Sequence, residues 1–260
     1  MPLTRLAPLD ARVPTWDLSR LQPRACPVCG GETTDEVVQR PDSLTVRRCS
    51  GCHTYYVSPA PSAAALDAFY ATYLTHATGG ARPVVPPALK RTAEDDVRIQ
   101  ALLSKTDLRG ARVLDVGCGT GHLLEMLRSV GANATGIDVD PGSVEQAQRR
   151  GLDVQRVSIE AVPTDPGFDV VILNDVIEHP LEPIPFLRTT LARVKPGGLL
   201  MIWTPNGDAP ATDQERVTFR VDLEHMQYFG AESMRWVVAE LPLQVVHFES
   251  LLYGDRKSVV

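Results

Sequence analysis

The sequence lacks any long run of apolar residues, and this absence excludes a conventional membrane-spanning helix. Of the 260 residues 43% are hydrophobic, yet no apolar run approaches the roughly 18 to 20 residues that a bilayer requires. The first sixteen residues contain Asp10 and three prolines in place of the apolar core of a signal peptide. We therefore expect a folded, cytoplasmic protein with no membrane partner.

The sequence also lacks an excess of positive charge. Its formal net charge is −6, so the chain as a whole does not attract phosphate backbones or anionic lipid. Nucleic acid is a disfavoured partner on this ground. The oligomeric state is left open.

Four of the five cysteines form two pairs with the same internal spacing, Cys26 with Cys29 and Cys49 with Cys52. Each C-x2-C turn directs two thiolates at one ion, and two such turns complete the tetrahedral set of a structural zinc site. The alternatives are chance spacing, a redox pair, or His53 replacing Cys52 as a ligand. With four protein ligands the zinc would stabilise the fold and take no part in chemistry.

The sequence predicts three regions, with boundaries after residues 61 and 110. Residues 1–61 are a zinc-ribbon module, residues 62–110 a helical linker or lid, and residues 111–260 an α/β domain. The middle region contains a predicted helix capped by Ser62, a Gly/Pro-rich linker over 78–87, and a second helix over Leu89 to Ala101. Its aromatic residues Tyr70 and Tyr73, with His76, are candidates for a lid.

From Val113 onward, short apolar runs alternate with segments of helical periodicity, which predicts a parallel sheet. The predicted strands are Arg112–Val116, Ala134–Asp138, Asp153–Val157, Asp169–Asn174 and Leu199–Thr204, with a doubtful last strand over Leu243–Tyr253. The predicted fold is therefore a doubly wound, mostly parallel, Rossmann-like α/β domain behind a small zinc ribbon.

The first predicted strand runs into Gly117, Gly119 and Gly121 and then directly into a helix. Glycines here permit positive φ angles and let a ligand approach the backbone closely. The dinucleotide fingerprint would require glycine where His122 stands, and no Gly-Lys-Ser/Thr follows as in a phosphate-binding loop. With Asp115 before it, the turn fits a smaller ligand that carries a carboxylate and an ammonium group.

Asp138 ends the second predicted strand, twenty-one residues after Gly117. In such a sheet a carboxylate at this place accepts hydrogen bonds from ribose hydroxyls. The alternative role, capping the next helix, is already filled by Asp140 before Pro141.

Four motifs in this order resemble the class I S-adenosylmethionine-dependent methyltransferases. They are V-L-D-V-G-C-G-T-G, G-I-D-V-D-P, F-D-V-V-I-L-N-D-V-I-E-H-P and V-K-P-G-G-L-L-M-I-W-T-P-N. The resemblance implies S-adenosylmethionine as cofactor and a cofactor-binding set of Asp115, Gly117, Cys118, Gly119, Gly121, Asp138, Val139, Ser158, Ile159 and Asn174.

Within that set the resemblance implies distinct roles. Asp115 and the glycines would hold the methionine part, Asp138 the ribose, and Ser158 and Ile159 the adenine edge. Asn174 would lie beside the sulfonium, and Cys118 would serve chiefly in packing. The two cysteine pairs, the tyrosine-bearing helix and the late L-E-H-x-x-Y-F element further resemble the deoxysugar C-methyltransferases.

Methyl transfer requires alignment of donor and acceptor and a base that removes the acceptor's proton. His225 is the first candidate, because imidazole titrates near neutrality and the resembling sugar enzymes carry a similar Glu-His pair, here Glu224 and His225. Asp175 and His179 are the further candidates. The alternative for His225 is a surface or helix-capping histidine.

The run Asp175-x-x-Glu178-His179 also resembles the ubiquinone-type O-methyltransferases, in which such residues can hold a divalent ion. In this chain Asp stands where that family has Glu. A catalytic metal is therefore an alternative to Glu178 and His179 shaping the pocket wall.

Three functions remain open from the sequence. The first is methyl transfer to a small biosynthetic acceptor, such as a sugar, a nucleotide sugar or another natural-product intermediate, at oxygen, carbon or nitrogen. The second is an RNA methyltransferase that uses the ribbon to bind nucleic acid, although three arginines face four carboxylates between Cys26 and Tyr56. The third is a non-catalytic cofactor-binding protein.

Overall fold

The computed structural model describes residues 3–9, 13–72, 92–165, 167–208, 216–221, 223–250 and 257–259. Two compact units share these residues. We call Met1–Asp67, Ile177–Leu187 and Thr204–Val259 the cysteine unit, and Ala68–Val176 with Arg188–Trp203 the sheet unit. Both units are discontinuous in sequence, which the predicted boundaries after residues 61 and 110 did not anticipate. That these boundaries separate independently folding domains stays a prediction.

The strands are β1 (Thr34–Gln39), β2 (Thr45–Cys49), β3 (Tyr55–Val57), β4 (Arg112–Val116), β5 (Asn133–Asp138), β6 (Val154–Arg156), β7 (Phe168–Asn174), β8 (Val194–Thr204), β9 (Gln227–Tyr228) and β10 (Lys257–Val259). The α-helices are α1 (Ala63–Tyr70), α2 (Val97–Leu103), α3 (His122–Ser129), α4 (Pro141–Arg149), α5 (Pro183–Leu191), α6 (Thr218–Val221) and α7 (Ala231–Ala239), and short 3-10 turns cover Leu18–Arg20 and Ile159–Ala161. Among the described residues, none of these helices is long and apolar enough to cross a membrane.

The sheet unit contains a parallel sheet in the order β8-β7-β4-β5-β6, which confirms the predicted α/β class. The chain runs outward from β4 to β6, then returns to the other side of β4 to form β7 and β8. This reversal is a topological switch point between β4 and β7, the place where open α/β sheets bind ligands. Apolar side chains of α2, α3 and the central strands, among them Ile99, Leu127 and Ile172, form its core.

The predicted start of the fifth strand was wrong. The fifth strand was predicted to begin at Leu199, but β8 begins at Val194, just after the helix that ends at Leu191, so the K-P-G-G motif lies inside β8. Phe168 pairs with Val194 and Val170 with Leu199, so the extra residues of β8 bulge out of the ladder. A bulge tolerates Pro196 because its missing N–H is not required for pairing.

Two further predictions changed at element ends. The helix was predicted over Leu89 to Ala101, but in the structure it begins at Val97. The Asp96 carboxylate accepts the N–H groups of Arg98 and Ile99 and sets the helix start there.

The last strand expected over Leu243–Tyr253 was wrong for residues 243–250, which form no strand. Neighbouring Val245 and Val246 are both about half exposed, so no face of that segment is buried. Tyr73, His76, the linker over 78–87 and residues 251–253 lie outside the described residues.

The cysteine unit contains an antiparallel sheet in the order β1-β2-β3-β9. Its last strand comes from far along the chain, since Tyr55 pairs with Tyr228 and Tyr56 with Gln227. Val38 and Val46 pack with Phe219 and Tyr228 to form a small core. Residues near the two cysteine pairs and residues 219–229 therefore fold as parts of one unit.

Candidate functional site

The glycine turn of the sheet unit is shaped by three residues with positive φ, at 67° for Gly117, 54° for Gly119 and 81° for Gly121. The turn is fixed to the neighbouring strand because the N–H groups of Gly117 and Cys118 both donate to the Ile137 carbonyl, at 2.8 and 3.0 Å. A Cβ on Gly117 would lie 2.7 Å from Cγ2 of Val176. A side chain there would disturb the turn.

Asp138 joins this turn to the end of β5. Its Oδ2 accepts the N–H of Gly119 and its Oδ1 accepts the N–H of Asp140, both at 2.8 Å. Burial raises the pKa of Asp138, and these N–H groups partly offset that effect. Asp140 is the N-cap of α4 and accepts the N–H of Ser143 at 2.6 Å, so the capping role belongs to Asp140 as expected.

Asp115 lies on β4 directly before the turn and is only 2% exposed. Burial raises its pKa to about 7, an effect that Arg98 opposes and Asp138 reinforces. A cationic group brought to this carboxyl would favour its ionised form. The position is therefore suited to an ammonium group.

Arg98 is a site residue that the sequence reasoning missed. Its Nη1 donates to Asn174 Oδ1 at 2.7 Å, at the end of β7, and its guanidinium forms a two-pronged pair with Asp96, Nε to Oδ1 at 2.9 Å and Nη2 to Oδ2 at 2.6 Å. It also lies 5.9 Å from the ring centroid of Trp203. Arg98 precedes the four motifs, and the one signal in the sequence was the Asp96-x-Arg98 spacing at a helix start.

The other predicted cofactor residues follow neighbouring strands of the same sheet. Val139, just after β5, is 46% exposed, whereas Ile159, in the 3-10 turn after β6, is 3% exposed. Ser158 is the N-cap of that turn. Because the strands are parallel, Asp115, Asp138, Ser158 and Asn174 are all contributed at or near carboxyl ends. The fold thus brings these residues to one edge, and their cofactor-binding roles stay predictions.

Cys118 is in a position consistent with packing. A Cβ on Gly136 of β5 would lie 2.6 Å from its Sγ, so the thiol occupies the space above that glycine. Burial raises the pKa of Cys118, which disfavours a reactive thiolate.

A second cluster of polar residues lies in the cysteine unit. Glu178, His179 and His225 each place one donor atom within 4.8 Å of the others. His225 Nε2 lies 3.8 Å from Glu178 Oε1, and the two imidazole rings meet edge to face at 4.8 Å. Thr204 Oγ1 donates to Glu178 Oε2 at 2.9 Å and so orients the carboxylate.

This cluster contains some of the predicted catalytic residues but not all of them. His225 is 5% exposed, which excludes the alternative of a surface histidine. Glu224 is not part of the cluster. Asp175 belongs to the sheet unit, where its backbone N–H donates to the Trp203 carbonyl at 2.7 Å and its φ is 55°. The acid-x-x-Glu-His run is therefore divided between the two units after its first acid.

The four paired cysteines converge in the cysteine unit, where their sulfurs lie within 4.8 Å of one another. The Sγ atoms of Cys26 and Cys52 are 3.4 Å apart, and those of Cys29 and Cys49 are 3.5 Å apart. His53 is directed elsewhere, since its Nδ1 lies 2.7 Å from Glu232 Oε2. The cluster contains Cys52 and not His53.

The chain resembles known methyltransferases in sequence. The profile of a family described as "Methyltransferase domain" matches residues 90–248, more than half of the chain. A ubiquinone biosynthesis O-methyltransferase of Xanthomonas oryzae pv. oryzae is 38% identical over 122 residues, which are 44% of this chain and 51% of that protein. One of the same name from Methylocella silvestris is 40% identical over 106 residues, 38% of this chain and 41% of that protein. The chain thus spans about half the length of the curated relatives it matches.

Two of the solved structures that resemble the chain are methyltransferases by title. A SAM dependent methyltransferase from Archaeoglobus fulgidus has a TM-score of 0.48 at 22% identity, covering 56% of this chain and 66% of that one. The plantazolicin methyltransferase BpumL in complex with SAH has a TM-score of 0.45 at 20% identity, covering 54% and 57%. On the profile match over residues 90–248, the chain belongs to the methyltransferase-domain family.

Proposed function

We propose that this protein transfers a methyl group from S-adenosylmethionine to a small-molecule acceptor. The observation that carries the proposal is the hydrogen bond from Gly119 to Asp138, which joins a glycine turn with three positive φ angles to a carboxylate at the end of β5. Membership of the methyltransferase-domain family supports the same conclusion.

The residues of the sheet unit fit the parts of S-adenosylmethionine. Asp115 suits the ammonium of the methionine part, and Arg98 of α2, which donates to Asn174 at the end of β7, suits its carboxylate. Each oxygen of Asp138 accepts one backbone N–H and can accept a further hydrogen bond, as a ribose diol requires. Half-exposed Val139 offers an apolar surface to the adenine.

S-adenosylmethionine supplies an activated methyl group, so the chain must mainly hold the reactants and manage one proton. We assign that proton to His225. Nε2 of His225 accepts the acceptor's proton, and the Glu178 carboxylate, 3.8 Å away, stabilises the resulting imidazolium. Thr204 holds Glu178 in place through its other oxygen.

A hydroxyl is the acceptor group that the relatives favour, because the curated proteins that match are named O-methyltransferases. A buried imidazole beside a carboxylate is suited to deprotonating a hydroxyl. A carbon next to a ketone, as in the sugar C-methyltransferases that the sequence resembles, makes the same demand on His225. Both classes therefore belong in an acceptor screen.

A divalent cation is a second candidate for the same cluster. Glu178, His179 and His225 offer one carboxylate and two imidazole donor atoms within 4.8 Å of one another. Such a donor set suits zinc, iron or nickel more than magnesium. Calorimetric titration with Ni²⁺ and Mg²⁺ of purified protein that retains the zinc of its cysteine cluster, beside His179→Gln, decides between the two roles.

The four-cysteine cluster fits a structural zinc ion. A tetrahedral site with Zn–S bonds of about 2.3 Å separates the sulfurs by about 3.8 Å. The two sulfur pairs at 3.4 and 3.5 Å are close to that separation. A Cβ on Gly31 would lie 3.3 Å from two of the sulfurs, so a side chain there would crowd the cluster.

The arginines between Cys26 and Tyr56 do not support the alternative of an RNA methyltransferase. Arg40 and Arg47 pair with Asp42 and Glu36, and Arg48 lies 5.7 Å from the ring centroid of Tyr55. Their charges are engaged within the unit. A non-catalytic role is tested by the turnover experiment below.

The first prediction concerns Asp138. Asp138→Ala should weaken S-adenosylmethionine binding by about 1 to 3 kcal/mol, because a charged hydrogen bond to the ribose is lost. Isothermal titration calorimetry measures the change. Asp153→Ala is the matched control, because the Asp153 carboxylate lies at the start of β6, where Thr135 Oγ1 donates to it at 3.0 Å. The Asp153→Ala variant should bind the cofactor normally. Equal affinities for Asp138→Ala and the parent protein contradict the assignment.

The second prediction concerns pH. The pKa of Asp115 is raised to about 7, so the carboxyl is mostly protonated at pH 6 and mostly ionised at pH 7.5. Only the ionised form attracts an ammonium group, so affinity for S-adenosylmethionine should rise about fivefold to tenfold over that interval. Asp115→Asn should remove the rise. A pH dependence that survives in Asp115→Asn would assign it to another group.

The third prediction concerns the base. His225→Gln should lower turnover by about 10²-fold to 10⁴-fold, the usual contribution of a general base, while cofactor affinity changes less than about twofold. The assay follows tritiated methyl transfer to a panel of catechols, phenols and nucleotide sugars. His247→Gln is the control, because His247 pairs with Glu249 near the surface. Full activity of His225→Gln would exclude it as the base.

The fourth prediction concerns the cysteines. Purified protein should contain about one zinc per chain, and Cys26→Ser should lower the zinc content and the melting temperature more than it lowers cofactor affinity. Cys118→Ser should retain the zinc, because Cys118 lies outside the cluster. Elemental analysis and thermal denaturation measure both. A folded, metal-free protein would refute the zinc site.

A further inference from the structure

Arg40 is a fully buried arginine in the turn between β1 and β2, far in sequence from the candidate base. Its backbone closes the turn, since its N–H donates to the Leu44 carbonyl at 2.8 Å and its carbonyl accepts the N–H of Ser43 at 3.0 Å. The side chain is not required for that turn. Its burial therefore calls for another explanation.

The guanidinium of Arg40 contacts five acceptors. Nε and Nη2 donate to the two oxygens of Asp42, the first at 3.1 Å, and Nη2 also donates to the Leu223 carbonyl. Nη1 donates to the His225 carbonyl at 2.6 Å and to the Tyr228 hydroxyl at 2.8 Å. A guanidinium has five N–H donors in a fixed plane, so the acceptors match its full capacity.

Three of these acceptors belong to the segment Leu223–Tyr228, which carries His225. The carbonyls of Leu223 and His225 and the phenol of Tyr228 are all directed at one rigid cation. The Tyr228 ring in turn lies 5.9 Å from the His225 ring. The Arg40 side chain thus fixes both the backbone of His225 and Tyr228, whose ring lies beside the His225 ring.

Asp42 completes the arrangement by orienting Arg40. Besides its pair with Arg40, its carboxylate accepts the indole N–H of Trp16 at 2.9 Å and the N–H of Leu44 at 3.3 Å. Trp16, Asp42 and Arg40 form a chain of hydrogen bonds that ends at His225. A buried ion pair is often replaceable by apolar residues without loss of stability, so stabilisation alone is a weak reason for this network.

We propose that Arg40 is a positioning residue that fixes the His225 imidazole for proton transfer. The proposal rests on the proposed role of His225 as the base. Arg40 contributes no proton and contacts no reactant; it acts through the carbonyl of His225 and the hydroxyl of Tyr228. Lysine is not an adequate substitute, because one ammonium with three donors cannot meet five acceptors spread around a plane.

The test follows the imidazole itself. In full-length protein labelled with ¹⁵N-histidine, the His225 nitrogen resonances are assigned by their absence from His225→Gln and recorded at pH 7.5. In Arg40→Lys these resonances should shift or broaden, while those of His122 in the sheet unit and of His247 stay in place. Circular dichroism and zinc content confirm that the variant is folded.

Arg193→Lys is the matched control for losing a buried arginine. Arg193 is 8% exposed and donates to the carbonyls of Val162, Thr189 and Glu160 in the sheet unit. The Arg193→Lys variant should have a lower melting temperature, but its His225 resonances should not shift. Unmoved His225 resonances in folded Arg40→Lys, or equal shifts in Arg193→Lys, would overturn the proposal.

Asp42→Asn keeps the experiment decisive if Arg40→Lys does not fold. The amide retains the shape of Asp42 and one accepting oxygen, so Arg40 stays buried but is held less firmly. In Asp42→Asn the same His225 nitrogen resonances should shift, and unchanged resonances would refute the proposal. Failure of His225 as the base appears separately, as unchanged turnover of His225→Gln.

Discussion

The hydrogen bond between the Gly119 N–H and the Asp138 carboxylate is the contact on which the candidate cofactor site depends. It fixes a glycine-rich turn to a strand whose position is set by the buried sheet. Three positive φ angles cost conformational entropy on folding, and this bond together with the two N–H donors to Ile137 offsets part of that cost. The turn is therefore formed by the fold and does not require the ligand to shape it.

The cysteine unit contains the proposed base His225. Its antiparallel sheet ends with β9, and the segment before β9 contains His225. Arg24 adds to the control of this segment, since it donates to the Met226 carbonyl at 2.6 Å, to Leu181 at 2.7 Å and to Val57 at 2.9 Å. Half-buried Arg24 and fully buried Arg40 thus hold this segment through its backbone carbonyls.

Much of the sheet unit was predictable from the sequence because its signals are local. The strand over Arg112–Val116 agrees with β4 residue for residue, and Asp140 before Pro141 caps α4 as expected. Apolar runs, capping residues and glycine turns depend on neighbours in the chain, so a single sequence displays them. The convergence of the four cysteines was predictable for the same reason, through the repeated two-residue spacing.

What the sequence did not display were contacts between distant segments. β9 has two residues, too few for a periodic pattern, and its partner β3 lies about 170 positions earlier. Arg98 and Arg40 are ordinary charged residues in the chain, and their burial depends on acceptors that the fold brings to them. Asp175 belongs to the sheet unit whereas Glu178 and His179 belong to the cysteine unit, so adjacency in sequence does not ensure a common unit, and the role of Asp175 stays a prediction.

The pairing of Tyr55 with Tyr228 has a consequence for how this chain can be cut and recombined. Because β3 supplies the ladder on which β9 is completed, the amino-terminal cysteine segment and the stretch before β9 share one sheet. Grafting that segment onto another catalytic domain, or removing it, would leave the histidine-bearing stretch without its template. We therefore expect the cysteine segment and the histidine-bearing stretch to be inherited together, and substitutions in one to be compensated by substitutions in the other.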